Sequence, residues 1–409
     1  MQIRGRHPSM MRAILLLIAI AAPLAAQTRD SAGISIIEST SARSRQLAPF
    51  RVADRPTLQI GIESGDPNQQ FNQVVAIARL GDGSIVIADA GSGELRIFDA
   101  AGRFARKLGR KGQGPGEFQY LTDVRGLGRD SLVAWDGTGR FTVFGPTGDV
   151  ARTFTVQGGP ASERGLGLVR GALGDGAFFA YRVGRQPPPQ IEAITRDTLR
   201  VGVYGRDGVY VHSVADFLGL ERLLDMGGSM PGPDGKLVNA WSIKGLPFAR
   251  ETYLRAGGDW LYAGTGDSYE IMAFDRAGRL QRIIRIHEPL QPVTPAIIAQ
   301  HRKEPRRRDS PSRPNVDPKI DPSWYPKTLP AYGGVRVDAA QRLWVKDYPI
   351  PGEQQPRWRV FDRSGALLGS VLTPAGLEVL DIGTDSLVGV WLDENDVEYV
   401  RVYALSPRS

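Results

Sequence analysis

The chain has 409 residues, 41% hydrophobic and 23% charged, which supplies length and apolar content for a large core. It has no cysteine, which excludes disulfides, cysteine metal sites and lipid-modified cysteine. Its 49 glycines and 29 prolines favour many tight turns over long helices, and its formal net charge of +7 is mild for a nucleic-acid binder.

At the N-terminus, Arg4, Arg6 and Arg12 precede an apolar run, residues 13–22 (AILLLIAIAA), followed by Pro23, Leu24, Ala25 and Ala26. A basic start, a short apolar run and a small-residue end form the layout of a signal peptide, too short to span a bilayer comfortably. The sequence predicts residues 1–26 as a cleaved signal, Met10 or Met11 also suiting as the start. It predicts 27–409 as a single exported domain, periplasmic or extracellular, with no membrane span after cleavage. Cleavage removes three arginines and no acid, leaving 48 basic against 44 acidic residues. An exported protein of so mild a balance is not expected to bind nucleic acid.

Residues 34–38 (ISIIE) read as a strand near the last repeat of the chain. Residues 58–71 run apolar strand, glycine, loop, phenylalanine, ending at Phe71. The same layout returns at 104–118, where GRKGQGPGEF (residues 109–118) ends at Phe118. That stretch is basic and glycine-rich, as a phosphate cradle would be. Its twin, however, carries acids where the second copy has Arg110 and Lys111. No Gly-Lys-Ser/Thr ending follows, nor any helix signal to supply a dipole. The stretch is therefore expected to connect two sheets, with Arg110 and Lys111 as candidate anion contacts at the rim.

A strand-and-turn motif recurs from residue 95 onward: LRIFDAAG (95–102), FTVFGPTG (141–148), VGVYGRDG (201–208), IMAFDRAG (271–278), WRVFDRSG (358–365) and finally VRVY (400–403). Alternation places the aromatic and the residue two before it on one strand face. Asp at the turn bonds its own backbone, and Gly at the fourth turn position supplies the left-handed conformation. The repeat aromatics, Phe98, Phe144, Tyr204, Phe274, Phe361 and Tyr403, are 46, 60, 70, 87 and 42 residues apart. The short spacings fit one four-stranded antiparallel sheet per repeat, and the long ones predict inserts at about 182–198, 214–249 and 287–330. Within them residues 216–224 suggest a short helix, and Thr294 is placed to cap another with Pro295 at its first position. One such sheet cannot cover both its faces, but six arranged radially cover one another.

Residues 71–118 resemble the NHL-type repeat of six-bladed β-propellers, and the chain after residue 26 resembles exported bacterial propellers of that TolB-like kind. The resemblance implies an all-β fold of six four-stranded antiparallel blades. The last repeat is incomplete, ending at Tyr403 with its third strand, so residues 57–61, which hold the outer-strand place in the repeat, are expected to close the last blade as an N-terminal strand. The resemblance implies architecture rather than activity, because propellers host many functions.

Function is expected in the inserts, since loops on a rigid scaffold carry most binding. The most basic run contains Arg306, Arg307 and Arg308, candidates for contact with an anionic partner. Trp324, Tyr325 and Tyr332 stand beside prolines and are candidate ligand-binding aromatics over the central channel. The competing reading is a metal-dependent lactonase or lyase-like enzyme, holding a divalent metal such as Ca²⁺ in the channel. Its candidate ligands are Asp89, Asp136 and Asp347, each ending a strand at the same place in its repeat, and Asp393. Chain reversal itself favours aspartate there. His212, His287 and His301 lack zinc-ligand spacing, and no Ser-His-Asp set is legible. The sequence thus points to a non-catalytic propeller binding a protein, glycan or small-molecule ligand.

Overall fold

The computed structural model of the chain describes residues 27–40, 42, 46, 50–127, 131–159, 164–172, 176–184, 193–231, 237–303 and 320–408. These are dominated by antiparallel β-structure. Sheet 1 runs Val74–Arg79, Ile85–Asp89, Glu94–Phe98, Phe104–Leu108. Sheet 2 runs Leu121–Leu127, Ser131–Asp136, Arg140–Phe144, Val150–Thr155. Sheet 3 runs Arg164–Ala172, Phe178–Gly184, Thr198–Tyr204, Tyr210–Leu218. Sheet 4 runs Tyr253–Gly257, Trp260–Gly264, Glu270–Phe274, Leu280–His287. Sheet 5 runs Tyr332–Val337, Leu343–Asp347, Arg357–Phe361, Leu367–Leu372. Sheet 6 has Leu377–Ile382, Ser386–Leu392 and Glu398–Pro407, and its fourth strand is Leu58–Ile60, pairing Ile60 with Val400.

The inner strands, such as Ile85–Asp89, are apolar at consecutive positions because both faces of a sheet are covered. In sheet 1, Val86 and Ala88 pack with Leu132 and Ala134 of sheet 2. Ile85 and Ile87 point the other way and pack with Val388 and Val390 of sheet 6. The hairpins follow the turn chemistry of the repeat. Asp99 Oδ1 accepts from the backbone N–H of Ala101 and Arg103, each at 2.9 Å. Gly102 then turns at φ +77°, where a Cβ would lie 2.7 Å from Leu58 Cδ1.

The GRKGQGPGEF stretch carries the chain from sheet 1 to sheet 2. Arg110–Lys111 and Glu117–Phe118 form a short parallel pair. Phe118 drops into the core between the two sheets.

Three local expectations meet different outcomes. Thr294 does cap the Pro295–Lys303 helix, accepting from Ile297 N at 3.3 Å, and Ile297 packs on Phe248 and Leu329. Residues 216–224 form no helix; they are the end of one strand, Tyr210–Leu218, the start of another, Arg222–Pro231, and the three residues that join them. Cross-strand pairing decides this, for Leu199 opposes Phe217 and Arg200 opposes Asp216. Ile34–Thr40 is a strand, but it lies parallel to Leu280–His287 on sheet 4 rather than by the last repeat. Its Ile36 and Ile37 are buried, and Glu38 lies within 3.6 Å of Arg285 and His287. The place beside sheet 6 is taken by Phe50–Val52 instead.

Candidate functional site

In sheets 1 and 2, the aspartate ending the second strand meets an arginine from the third. Arg96 lies 3.1 Å from Asp89, and Arg140 lies 3.2 Å from Asp136. Both arginines also donate to the connector entering their sheet, and Arg96 Nε donates to Glu94 as well, at 3.3 Å. Arg96 donates to the carbonyls of Pro67, Asn68 and Gln70, and Arg140 to those of Gln113 and Glu117. Each guanidinium is thereby ion-paired with an aspartate while it donates to a loop backbone.

Sheet 5 repeats the pair in different surroundings. Arg359 holds Asp347 with two parallel bonds, Nε to Oδ1 at 2.7 Å and Nη2 to Oδ2 at 3.3 Å. The connector entering this sheet is the insert after His287, and its first residue supplies a carboxylate where the other sheets supply carbonyls. Arg359 Nη1 donates to Glu288 Oε2 at 2.5 Å. The guanidinium also lies over the Tyr269 ring, 4.5 Å from its centroid. These four side chains line a cavity of about 640 Å³ between sheets 4 and 5. Other walls come from Leu329, Pro330 and Ala331, the loop 348–356, and Leu372.

Burial shapes the electrostatics. The Asp347 carboxyl is pushed above the usual aspartate range by burial, which its pairing with Arg359 only partly offsets. Burial works against the Arg359 charge too, but Tyr269, Asp347 and Glu288 together hold its pKa above the ordinary arginine value. The Tyr269 hydroxyl, buried in this wall, has no hydrogen-bond partner in the protein. An unpaired buried hydroxyl costs about 1–3 kcal/mol, which a ligand group or water reached by a small side-chain shift would remove.

The residues singled out in the sequence are scattered. Arg110 and Lys111 are exposed on the connector between sheets 1 and 2, and Arg110 pairs with Glu117 at 2.7 Å. Arg306, Arg307 and Arg308 lie outside the described residues. Trp324 and Tyr325 pack against the small core of Leu223, Leu246 and Ile320. Tyr332 is fully buried, its hydroxyl accepting from Gly266 N at 3.2 Å and donating to Glu270 O at 3.0 Å. That ring is part of the core between sheets 4 and 5. Among the described residues, no three His, Asp or Glu side chains gather as they would around a metal ion. Asp393 accepts from the backbone of Asn395 and Val397, as a turn aspartate does.

Sequence reading missed Glu288, Tyr269 and Arg359. One signal was present: an arginine stands two residues before the repeat aromatic in both LRIF and WRVF, at Arg96 and Arg359.

The family model DUF5128, described as a 6-bladed beta-propeller, matches residues 69–125. No curated protein matches the chain. Among solved structures, a member of the duf4221 family from Bacteroides vulgatus ATCC 8482 is similar, with TM-score 0.51 and 9% identity over 89% of this chain and 99% of that one. A conjectured exported protein of Bacteroides fragilis NCTC 9343 gives TM-score 0.49 and 11% identity over 91% of this chain and 100% of that one. At such identity the duf4221 likeness is one of fold.

Proposed function

We propose that the six sheets close into a six-bladed β-propeller, exported by its N-terminal segment, that binds a ligand in the cleft between sheets 4 and 5. Ring closure is supported by packing. The first strand of each sheet lies against that of the next, and that of sheet 6 lies against that of sheet 1. Hydrophobic cores alternate with the sheets in the same cycle. The description of the matched family agrees with that count.

One observation carries the site: the Asp–Arg pair is sealed by connector backbone in sheets 1 and 2 but faces a cavity in sheet 5. A repeated structural device has there become an accessible polar group on a rigid wall, the setting in which small-molecule sites form. Arg96, Arg140 and Arg359 engage the three aspartates that a metal centre would need, which favours binding over metal-assisted hydrolysis. The test is a thermal-shift screen of glycans, peptides and metabolites against wild type and Leu372→Trp, whose half-exposed leucine lines the cleft. At least one compound class is expected to raise the melting temperature of wild type only. A shift retained by the blocked variant, or none from any compound, contradicts the reading.

A further inference from the structure

The lining of the cleft says what chemistry it suits. Its charged side chains balance: Lys346, Arg357 and Arg359 face Glu288, Asp347 and Glu353. Arg359 is already committed to two of the acids, and Lys346 pairs with Glu378 at 3.3 Å. So balanced a wall offers no field that would favour an anion or a cation. What it offers instead is planar hydrogen-bonding groups. Gln291, Gln354 and Gln355 line it and are exposed, beside the carboxylates of Glu288 and Asp347. A planar amide can bond two neighbouring hydroxyls at once, as donor to one and acceptor from the other, and a carboxylate can accept from two. The lining also includes Tyr348, Pro349 and Pro356, whose apolar surface suits C–H faces.

A peptide finds less to hold. The walls are strand ends and proline-bearing loops, and prolines offer no N–H for main-chain pairing. The volume, about 640 Å³, lies within the range of small-ligand sites.

We infer that the cleft takes a neutral polyhydroxylated ligand, a saccharide of one or a few units. This rests on the cleft being the binding site, and the experiment separates the two. The probes are neutral hexoses, pentoses and their disaccharides, with matched hexosamines, hexuronates and short peptides. Affinities are measured by titration calorimetry on wild type, on Gln354→Ala/Gln355→Ala and on Leu372→Trp. A neutral sugar is expected to bind wild type, to lose about tenfold or more in the double glutamine variant, and to lose binding in Leu372→Trp. The glutamines are exposed, so their loss should leave the melting temperature of the free protein unchanged. The inference is overturned if a hexuronate, a hexosamine or a peptide binds about tenfold tighter than every neutral sugar while remaining sensitive to Leu372→Trp. In that case the cleft stands and the ligand class falls. Binding of any probe that ignores Leu372→Trp removes both.

Discussion

Deletion of residues 27–62 is expected to yield insoluble or protease-sensitive protein. The segment supplies the fourth strand of sheet 6, Leu58–Ile60, and the Phe50–Val52 strand beside it. Ile60 is 1% exposed among Ile77, Ile85, Phe98, Val388 and Val400, in the core shared by the first and last sheets. Val52 joins Trp344, Trp358 and Tyr403 in the core between sheets 5 and 6. The same deletion strips Ile36 and Ile37 from the edge of sheet 4. Burying three such side chains contributes about 5–9 kcal/mol as an upper value. Net domain stability is itself about 5–15 kcal/mol, so the remainder is not expected to stay folded. Ile60→Ala is the milder form and should cost about 2–5 kcal/mol by transfer and cavity terms. Limited proteolysis and urea unfolding read both. A truncated protein that melts like the full chain contradicts the role of this strand.

Replacement of Arg359 by methionine is the second large effect. Two carboxylates then share a wall with no cation between them. Removing one partner of a buried pair costs about 3–5 kcal/mol, and the lower end applies because Asp347 and Glu288 each keep about a quarter of their side-chain surface exposed. The pH dependence gives the cause away. Burial already raises the Asp347 pKa, and losing Arg359 raises it further. An acid whose folded pKa exceeds its unfolded one binds its proton more tightly when folded. Stability therefore rises as pH falls through the folded pKa, and Arg359→Met should be less destabilised at pH 5 than at pH 7. Arg359→Lys keeps the charge but not the two-pronged contact, and should fall between. Urea unfolding at the two pH values is the measurement; a loss of equal size at both contradicts the account of the pair.

How far the fold was legible depends on the range of the forces that set each part. The hairpins were legible because their chemistry is local: Asp99 and Asp362 bond backbone within four residues, and Gly102 and Gly365 turn with positive φ. The partner of Leu58–Ile60 was legible from the incomplete last repeat. The Pro295–Lys303 helix followed from Thr294 and Pro295. The position of Ile34–Thr40 was not legible, because a short apolar strand fits any free edge and only Arg285, His287 and the local packing choose sheet 4. Residues 216–224 escaped because pairing with Thr198–Tyr204 outweighs local propensity.

The candidate site was half legible. Asp347 stood out as one of three periodic aspartates, but its partner is set by three-dimensional neighbours. Arg359 reads as an ordinary strand residue until Glu288, 71 positions earlier, is seen to meet it. Tyr332 drew attention as an aromatic beside proline and proved to be core, since Gly264 leaves room for its hydroxyl.

Because the chain has no cysteine, a single pair introduced across the junction reports on it directly. Gln59 and Arg401 are opposed residues on the paired strands. Opposed residues in an antiparallel pair lie about 4.5–5.5 Å apart at Cα, within disulfide range. In the folded Gln59→Cys/Arg401→Cys protein, mild oxidation is predicted to give near-complete intramolecular crosslinking, read by mass spectrometry under non-reducing conditions. Two thiols that stay free and separately alkylatable in the native protein would mean that Leu58–Ile60 and Glu398–Pro407 do not meet.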